Sequence, residues 1–340
     1  TNYQRSCFLM NQIRLANIND ISQIMKFIND NWKENHILAR DKNFFIYEHQ
    51  DNNTINFVIS LEDNKINGTL GFIKYSDNNS DLATVIWKAL KSHTNPMLGI
   101  ELLEFLRNHK EYNIVFSLGI NKKTIGIYHY LDIYTNHLSQ YIIINKNIQK
   151  FNILKIEDDK SIKQSNFTEN SQYKLVKIKE SELDFDFDSQ EFIPHKDKNY
   201  FIKRYYNHPI YIYDIYGIYK TKTLTSLVVT RDCSLEKSKI LRIVDYLGDE
   251  KDIAYITSKI YQIVVNKGYE YVDFICFGFE NTNLENAGFS KINLESTEII
   301  APNYFSPFVQ ENIKINFMAD TKEINKLRIC KADGDQDRPN

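Results

Sequence analysis

The sequence is poor in residues that break regular structure and carries little net charge. Its 340 residues include only 11 glycines and 6 prolines, which excludes a collagen-like or linker-rich chain. No run of about 18 apolar residues occurs, which argues against a membrane-spanning helix. The formal net charge of −2 excludes a strongly basic protein that holds nucleic acid through its overall charge. We therefore expect a folded protein without membrane insertion and without a nucleic-acid partner.

Cysteines are few and widely separated. They stand at Cys7, Cys233, Cys276 and Cys330, with no Cys-x-x-Cys spacing. We therefore expect neither a disulfide framework nor a zinc site, and a reducing cytoplasm is the predicted location. The segment Thr1 to Met10 lacks the long apolar core of a signal peptide. We interpret residues 1–9 either as an extension upstream of the first strand or as a remnant of cloning.

Core-forming residues are present in ordinary proportion and aromatic residues are numerous. Hydrophobic residues make up 42%, charged residues 25% and aromatic residues 13% of the chain. Such a chain can bury a large core and still line a pocket for stacking or hydrogen bonding. At about 150 residues per domain, the length predicts about two domains.

An internal repeat relates the two halves of the chain. The hexamer at 41–46 (Asp-Lys-Asn-Phe-Phe-Ile) recurs at 197–202 as Asp-Lys-Asn-Tyr-Phe-Ile, an offset of 156 residues. The apolar segment 112–118, followed by Gly119, is answered at an offset of 159 by a similar segment followed by Gly278. We infer a duplicated unit; the alternative is two unrelated α/β domains that share one hexamer by chance.

A polar stretch separates the two copies. We predict a first domain at 10–150, a linker at 151–172, a second domain at 173–330 and an acidic C-terminal tail at 331–340. In the first copy, apolar residues at i, i+3, i+4 and i+7 predict a helix over 20–32, capped by Asn19 or Asp20. Further predicted strands and helices alternate as β-α-α-β-β-β-α-β-α-β. This order predicts a mixed α/β fold, in which each half has a mostly antiparallel sheet flanked by helices.

The segment Pro96–Leu103 stands where the main helix begins after a strand. Unpaired backbone N–H groups and the helix dipole favour phosphate oxygens at such a place. Together with the element order, this segment resembles the loop by which GNAT-superfamily acyltransferases hold the pyrophosphate of acyl-CoA. The resemblance implies two tandem GNAT-like domains that use acetyl-CoA as acyl donor, without a metal. It implies a cofactor site made of Met97, Leu98, Gly99, Ile100 and Asn121, and Trp87 on the neighbouring strand is predicted to stack on a base. The alternatives are an ordinary helix start at 96–103 and a Trp87 side chain that packs in the core.

A second stretch is similar to the family pattern Asn-x-x-Ala-x-x-Leu-Tyr-x-x-x-Gly-Phe, which Asn121 and Tyr128 match. The resemblance implies that Tyr128 returns a proton to the leaving thiolate; the alternative is a tyrosine that only packs. The second copy has Leu284 at the place of the tyrosine. Its loop Leu247–Glu250 carries two carboxylates that would repel a pyrophosphate. The chemistry is therefore predicted for the first copy.

Three further segments, 32–42, 119–125 and 331–340, resemble tandem GNAT-type proteins of bacterial surface-polysaccharide pathways. Those proteins are thought to acylate amino groups on nucleotide-linked deoxysugars. The resemblance implies an acetyl-CoA-dependent N-acetyltransferase of cytoplasmic lipopolysaccharide or O-antigen synthesis. Its implied partner is a small-molecule nucleotide-linked amino sugar.

Five residues are the candidates for acceptor chemistry. His36 is the predicted base or substrate contact, because histidine titrates near neutrality. Arg40 and Asp41 are predicted to bind sugar hydroxyls or phosphates. The alternative for His36 is a histidine on the surface or at a helix end. The alternatives for Arg40 and Asp41 are a surface ion pair and, for Asp41, a cap on the next helix. Asp333 and Asp335 of the tail are predicted to line the cleft and to attract an ammonium group.

Two other functions stay open. A peptidoglycan-type tandem GNAT protein would carry an aminoacyl group from a charged tRNA and would need a basic face. The net charge of −2 disfavours that function, although a local patch at 146–163 is available. A non-catalytic GNAT-like binding protein would need no intact phosphate loop.

Overall fold

The computed structural model describes residues 12–77, 81–91, 95–109, 111–157 and 167–339. The described residues form two compact units, the first made of 12–74 and 81–117 and the second of 75–77 and 118–339. The predicted division at residue 150 concerns the sequence repeat and stays a prediction. Cys7 and the extension predicted at 1–9 lie outside the described residues.

The first unit packs helices against a mixed sheet. Its helices are α1 (Ile21–Asn31), α2 (Ile37–Arg40), α3 (Lys42–His49) and α4 (Leu98–His109). Its strands are β1 (Gln12–Asn17), β2 (Gln50–Asp51), β3 (Thr54–Glu62), β4 (Lys65–Lys74), β5 (Asp81–Ala89) and β6 (Ile114–Leu118). They follow the order β1-β3-β4-β5-β6, with β2 against β3, and all pairs are antiparallel except β5–β6.

Local sequence explains the first helix and the hairpin. Ile21, Ile24 and Ile28 of α1 are buried together. Burying each of these side chains contributes about 2 kcal/mol to the free energy of unfolding. The cap is Asn17 and not Asn19 or Asp20: its side chain accepts from the Asn19 N–H at 2.9 Å, because a 3-10 turn at Ile18–Asp20 precedes α1. The hairpin between β3 and β4 turns at Asp63 and Asn64, which both have a positive φ.

The second unit has a larger mixed sheet. Its helices are α5 (Ile125–Tyr130), α6 (Lys198–Phe201, continued by a π-helical turn at Ile202–Tyr206), α7 (Thr257–Lys267) and α8 (Asn281–Asn286). Its strands are β7 (Tyr134–His137), β8 (Ser139–Ile144), β9 (Lys155–Ile156), β10 (Tyr173–Lys177), β11 (Asp214–Lys220), β12 (Thr223–Leu235), β13 (Ser238–Gly248), β14 (Tyr271–Phe277), β15 (Ser290–Lys291), β16 (Ile299–Ile300), β17 (Tyr304–Phe305), β18 (Phe308–Val309), β19 (Asn316–Asp320) and β20 (Ile329–Cys330). The sheet order is β10-β11-β12-β13-β14-β8-β15, with β20 also on β14. Pairs β7–β19, β9–β16 and β17–β18 complete the unit.

The repeat seen in the sequence has a structural counterpart. Asp41 caps α3 by accepting from the Phe44 N–H at 3.0 Å, and Asp197 caps α6 by accepting from the Tyr200 N–H at 2.7 Å. The second copy differs where α1 stands in the first, since only a 3-10 turn at Glu180–Glu182 is present there. The segment between that turn and α6 lacks the 3.6-residue apolar spacing that a helix needs. No helix of the described residues combines the length and apolar character required to cross a bilayer.

Candidate functional site

The two parallel strands of the first unit diverge after a short pairing. Strands β5 and β6 pair only over 81–83 and 114–116, and β5 then continues alone on that side to Ala89. A β-bulge bends β5 at this point, with a φ of +48° at Ile86. No other strand in the described part of this unit lies between the diverging ends. The opening is therefore at the carboxyl ends of parallel strands, an edge at which α/β sheets bind ligands.

The first turn of α4 lies beside this opening and carries most of the predicted cofactor residues. The indole Nε1 of Trp87 donates to the Gly99 carbonyl at 2.8 Å, which ties the helix start to β5. Leu98 is buried, whereas Met97 is 48% exposed. The N–H groups of Leu98, Gly99 and Ile100 have no backbone acceptor among the described residues. Such N–H groups at the positive end of a helix favour a phosphate, and the cofactor role of these residues stays a prediction.

The acceptor residues predicted in the first unit flank the short helix α2. His36 Nδ1 accepts from the Leu38 N–H at 3.2 Å and caps α2. Because Nδ1 is the acceptor, the neutral ring carries its proton on Nε2, and a base role requires this cap to break. Arg40 donates to a backbone carbonyl five residues upstream, and Asp41 caps α3. All three residues thus have local structural roles, and their substrate roles stay predictions.

Asn121 and Tyr128 lie on one segment of the second unit. The Asn121 side chain accepts from the Lys123 N–H at 2.9 Å and caps the 3-10 turn before α5. Tyr128 is 2% exposed, and burial raises the pKa of its phenol, which also hydrogen-bonds the Thr124 side chain. A phenol held neutral in this way can donate a proton and cannot act as a base near neutrality. The predicted acid role therefore agrees with its protonation state and stays a prediction.

In the second unit, the corresponding opening between parallel strands is filled by the chain itself. Strands β13 and β14 pair only over 241–243 and 272–274 before they diverge. Strand β20 enters between them, with Cys330 opposite Cys276 on β14. On the other side, the Ala332 N–H donates to a β13 carbonyl at 3.0 Å. The C-terminal segment thus fills the space between β13 and β14, whereas no strand of the first unit's described residues lies between β5 and β6.

Glycine permits this entry at one position. Gly278 follows β14 with a φ of +83°, and a Cβ built on it would lie 1.9 Å from the Leu327 carbonyl oxygen. No side chain fits that approach. Arg328, the next residue of the segment, donates to the Gly248 carbonyl at 2.8 Å and stacks on the Phe192 ring. The segment is therefore fixed at its entrance by sterics and by charge-assisted bonds.

Asp333 lies at the centre of a buried charge cluster. The Nζ of Lys196 is 2.6 Å from Asp245 and 2.8 Å from Asp333, and the Tyr205 hydroxyl donates to Asp245 at 2.6 Å. Burial raises the pKa of Asp333 to about 6 in spite of the ammonium. Asp245, Cys330 and Asp333 place possible metal-ligand atoms within 4.8 Å of one another, but the positive charge among them is that of Lys196. The ammonium group that pairs with Asp333 in this structure is therefore the side chain of Lys196 and not a substrate amine.

The other tail carboxylates also have partners in the chain. Asp335 accepts from the Gln336 side chain at 2.9 Å and has Arg338 at 3.7 Å. Asp337 is buried against the Arg231 guanidinium and accepts from the Tyr213 hydroxyl at 2.9 Å. Burial alone would raise the pKa of Asp337, but the charge and hydrogen bonds of Arg231, together with the charges of Arg204 and Lys331, outweigh burial and lower that pKa. Substrate binding by Asp333 and Asp335 stays a prediction.

Lys331 is a residue that sequence reasoning missed. Its side chain is 1% exposed, and its Nζ has no hydrogen-bond partner among the described residues. The Tyr304 ring centroid lies 4.8 Å from that nitrogen. Burial, followed by the nearby Arg242 guanidinium, lowers the pKa of Lys331 to about 7. An apolar pattern could have indicated this burial, because Ile329, Cys330 and Ala332 are strand-like neighbours that lie in the core.

The loop after β13 does not present free carboxylates in the way that the sequence suggested. Asp249 accepts from the Lys251 N–H at 3.0 Å. Glu250 accepts from the Asn283 amide at 2.7 Å and lies 3.6 Å from Arg328. The Glu250 charge is therefore partly neutralised. The stronger obstacle to acyl-CoA in this copy is steric, because the C-terminal segment fills the space between the strands.

The predicted residues thus form several local groups. Trp87 and Gly99 contact one another in the first unit, and His36, Arg40 and Asp41 surround α2 in the same unit. In the second unit, the Asn121–Tyr128 segment is one group and the C-terminal segment is another.

The sequence matches no protein-family model and no curated protein. Solved structures do resemble it. One is a protein of unknown function from Enterococcus faecalis V583, described as a probable N-acyltransferase, with a TM-score of 0.57 at 8% identity, covering 92% of this chain and 72% of that chain. Another is a GCN5-related N-acetyltransferase from Anabaena variabilis ATCC 29413, with a TM-score of 0.53 at 10% identity, covering 91% of this chain and 72% of that chain.

These likenesses extend over most of the chain and establish its architecture. The predicted fold class, a mixed and mostly antiparallel sheet flanked by helices in each half, is confirmed. The chain has the fold of two tandem GCN5-related N-acetyltransferase (GNAT) domains.

Proposed function

We propose that this protein transfers an acetyl group from acetyl-CoA to the amino group of a nucleotide-linked amino deoxysugar. The pathway that we propose for it is surface-glycan synthesis in the cytoplasm, of the lipopolysaccharide or O-antigen kind. One observation carries the donor part of the proposal, and the acceptor rests on the sequence resemblance. The opening between β5 and β6 contains no other strand of the described part of its unit, and it adjoins the N–H groups of 98–100, which have no backbone acceptor among the described residues. The fold shared with N-acetyltransferases supports the reaction class.

The contrast between the two copies supports a donor site in the first. A pantetheine arm needs an extended space between the diverging strands. In the second copy β20 takes that space and hydrogen-bonds β14. In the first copy the bulge at Ile86 and the short β5–β6 pairing leave no strand of the unit's described residues between β5 and β6. A diphosphate at the start of α4 would then accept from the N–H groups of 98–100.

The reaction assigns a role to each candidate residue. The amine nitrogen attacks the thioester carbonyl carbon, the C–S bond breaks, and one amine proton must leave while the thiolate gains one. Tyr128, whose pKa is raised by burial, would supply the proton to the thiolate. His36 would accept the amine proton after its bond to the Leu38 N–H breaks. Arg40, Asp41, Asp333 and Asp335 would contact the acceptor.

The donor site can be tested by removing one N–H group without removing a side chain. Proline is tolerated in the first turn of a helix, and a Cβ on Gly99 would lie 3.8 Å from its nearest neighbours. Gly99→Pro removes one donor to the diphosphate, whereas the matched control Gly99→Ala keeps it. We expect Gly99→Pro to weaken coenzyme A binding about tenfold in calorimetry. Gly99→Ala should bind as the parent chain does.

Activity distinguishes the alternatives. Free thiol released from acetyl-CoA in the presence of a nucleotide-linked amino sugar would support the proposal. Transfer that requires aminoacyl-tRNA and is lost on RNase treatment would identify the peptidoglycan type instead. If the folded chain does not bind coenzyme A, the remaining alternative is a non-catalytic binding protein.

A further inference from the structure

The second copy keeps an open cleft beside the space that β20 fills. The cleft has a volume of about 740 Å³ and lies after the carboxyl ends of β13 and β14. Its walls come from the loop after β13, from α8 and from β15. A volume of this size is in the usual range for small-molecule sites. We propose that this cleft binds a nucleoside diphosphate.

Two ammonium groups of the lining are available to an anion. Lys251 stands on the loop and Lys291 on β15, so they belong to separate walls. In the part of the chain that the structure describes, neither forms an ion pair with a carboxylate; Lys291 Nζ lies 3.4 Å from the Asn281 amide oxygen and 5.7 Å from the Tyr141 ring centroid. Glu285 is the carboxylate residue of the lining. The two lysines outweigh it, which favours an anionic ligand.

Of the two carboxylates on the loop after β13, Asp249 caps the following 3-10 turn by accepting from the Lys251 N–H at 3.0 Å. Glu250 follows the strand end but turns toward Arg328 at 3.6 Å and accepts from the Glu280 N–H at 3.1 Å. Its side chain also holds the Asn283 amide at 2.7 Å. Asn286 and Ser290 add neutral hydrogen-bonding groups to the lining. The cleft therefore offers both cations and donors to phosphate oxygens.

An apolar wall lies next to these polar groups. The Tyr255 ring stacks on the Tyr173 ring with centroids 4.4 Å apart and an interplanar angle of 23°, so its position is fixed. Ala254 and the buried Phe289 continue the wall. A rigid aromatic surface beside cations is suited to a nucleobase that joins a phosphate chain.

The C-terminal segment determines how long the ligand can be. A pantetheine arm that extended between β13 and β14 would meet the backbone of β20, which is bonded to β14 through Cys276 and Phe277. The close approach at Gly278 leaves no room beside Leu327. A nucleoside diphosphate does not need the space between the strands, whereas an acyl-CoA with its arm between β13 and β14 does. The cleft differs in this way from the donor site proposed at α4.

Calorimetry on the full-length chain tests the inference, with UDP as the probe. We expect UDP to bind, and we expect the double variant Lys251→Gln, Lys291→Gln to bind it about 100-fold more weakly, because two charge-assisted contacts are lost. The matched control is Lys237→Gln on the exposed turn between β12 and β13, which should bind UDP normally. Coenzyme A should bind the double variant with unchanged affinity.

Three results would overturn the inference. No binding of UDP, with coenzyme A still bound, would remove the nucleotide site and leave the proposed function intact. Competition between UDP and coenzyme A would mean that the two share one site. Inorganic pyrophosphate binding as tightly as UDP would mean that the apolar wall holds no nucleoside. Failure of coenzyme A to bind while UDP binds would instead contradict the proposed function alone.

Discussion

Replacing Lys331 with methionine should stabilise the protein near neutral pH. The amine is 1% exposed, lacks a hydrogen-bond partner among the described residues and has a pKa lowered to about 7, first by burial and then by Arg242. The other charged or titratable groups that act on it are Asp337, Asp273 and Cys233. Their attraction does not compensate for the lost hydration. Methionine keeps the unbranched shape and removes the amine.

The size of the effect follows from proton linkage. In the unfolded chain the lysine keeps its ordinary pKa of 10.5, so between pH 7 and pH 10.5 the unfolded state binds more protons than the folded state. The free energy of unfolding therefore rises with pH through that window. Lys331 lowers the free energy of unfolding by about 4 kcal/mol at pH 7 and by about 2 kcal/mol at pH 9. Below pH 7 both states are protonated and the difference is constant.

Urea denaturation at pH 7 and pH 9 measures this difference. We expect Lys331→Met to be more stable than the parent chain by several kcal/mol at pH 7, with the gain about halved at pH 9. The control Lys237→Met, on an exposed turn, should change stability by about 0.5 kcal/mol or less at both pH values. A Lys331→Met protein that is less stable than the parent, by the same amount at both pH values, would refute the reasoning. It would mean that the lysine is charged and paired in the folded chain.

Three other substitutions test separate parts of the account. Tyr128→Phe should lower kcat about tenfold or more with little change in KM for acetyl-CoA, and an unchanged kcat would remove Tyr128 as the acid. Gly278→Ala should destabilise the chain by about 2 kcal/mol or more, because its Cβ would meet the Leu327 carbonyl; a neutral result in thermal unfolding would contradict the steric role. Lys196→Met should lower the free energy of unfolding in urea by about 3–5 kcal/mol, because Asp245 and Asp333 stay buried without a cation. The loss should be smaller at pH 5 than at pH 8, since burial raises the pKa of Asp333 to about 6 and this carboxyl is then protonated at pH 5.

Local patterns predicted much of the fold because they act over a few residues. The apolar face of α1 and the caps at Asp41 and Asp197 depend on spacing that is visible in the sequence. The repeat predicted that both copies would share an architecture. The order of elements then indicated a mixed, mostly antiparallel sheet in each half, and the structure has the parallel pairs β5–β6 and β13–β14 in such sheets.

Long-range pairing could not be predicted in the same way. The last ten residues have a polar, acidic composition typical of a solvated tail, yet Ala332, Asp333 and Asp337 are buried. The two carboxylates can be buried because distant cations compensate their negative charge. Lys196 and Arg231, the cations in question, lie more than 100 residues upstream. No short-range signal connects such partners. The roles of His36 and Tyr128 are likewise not fixed by spacing, because they depend on a substrate that the sequence does not identify.

A crystal structure of the chain soaked with coenzyme A tests the central claim most directly. We expect the diphosphate at the first turn of α4, within hydrogen-bonding distance of the N–H groups of 98–100, and the pantetheine between β5 and β6. Density for the cofactor against Gly248 and Lys251, with β20 displaced from β14, would contradict the assignment of the donor site to the first copy.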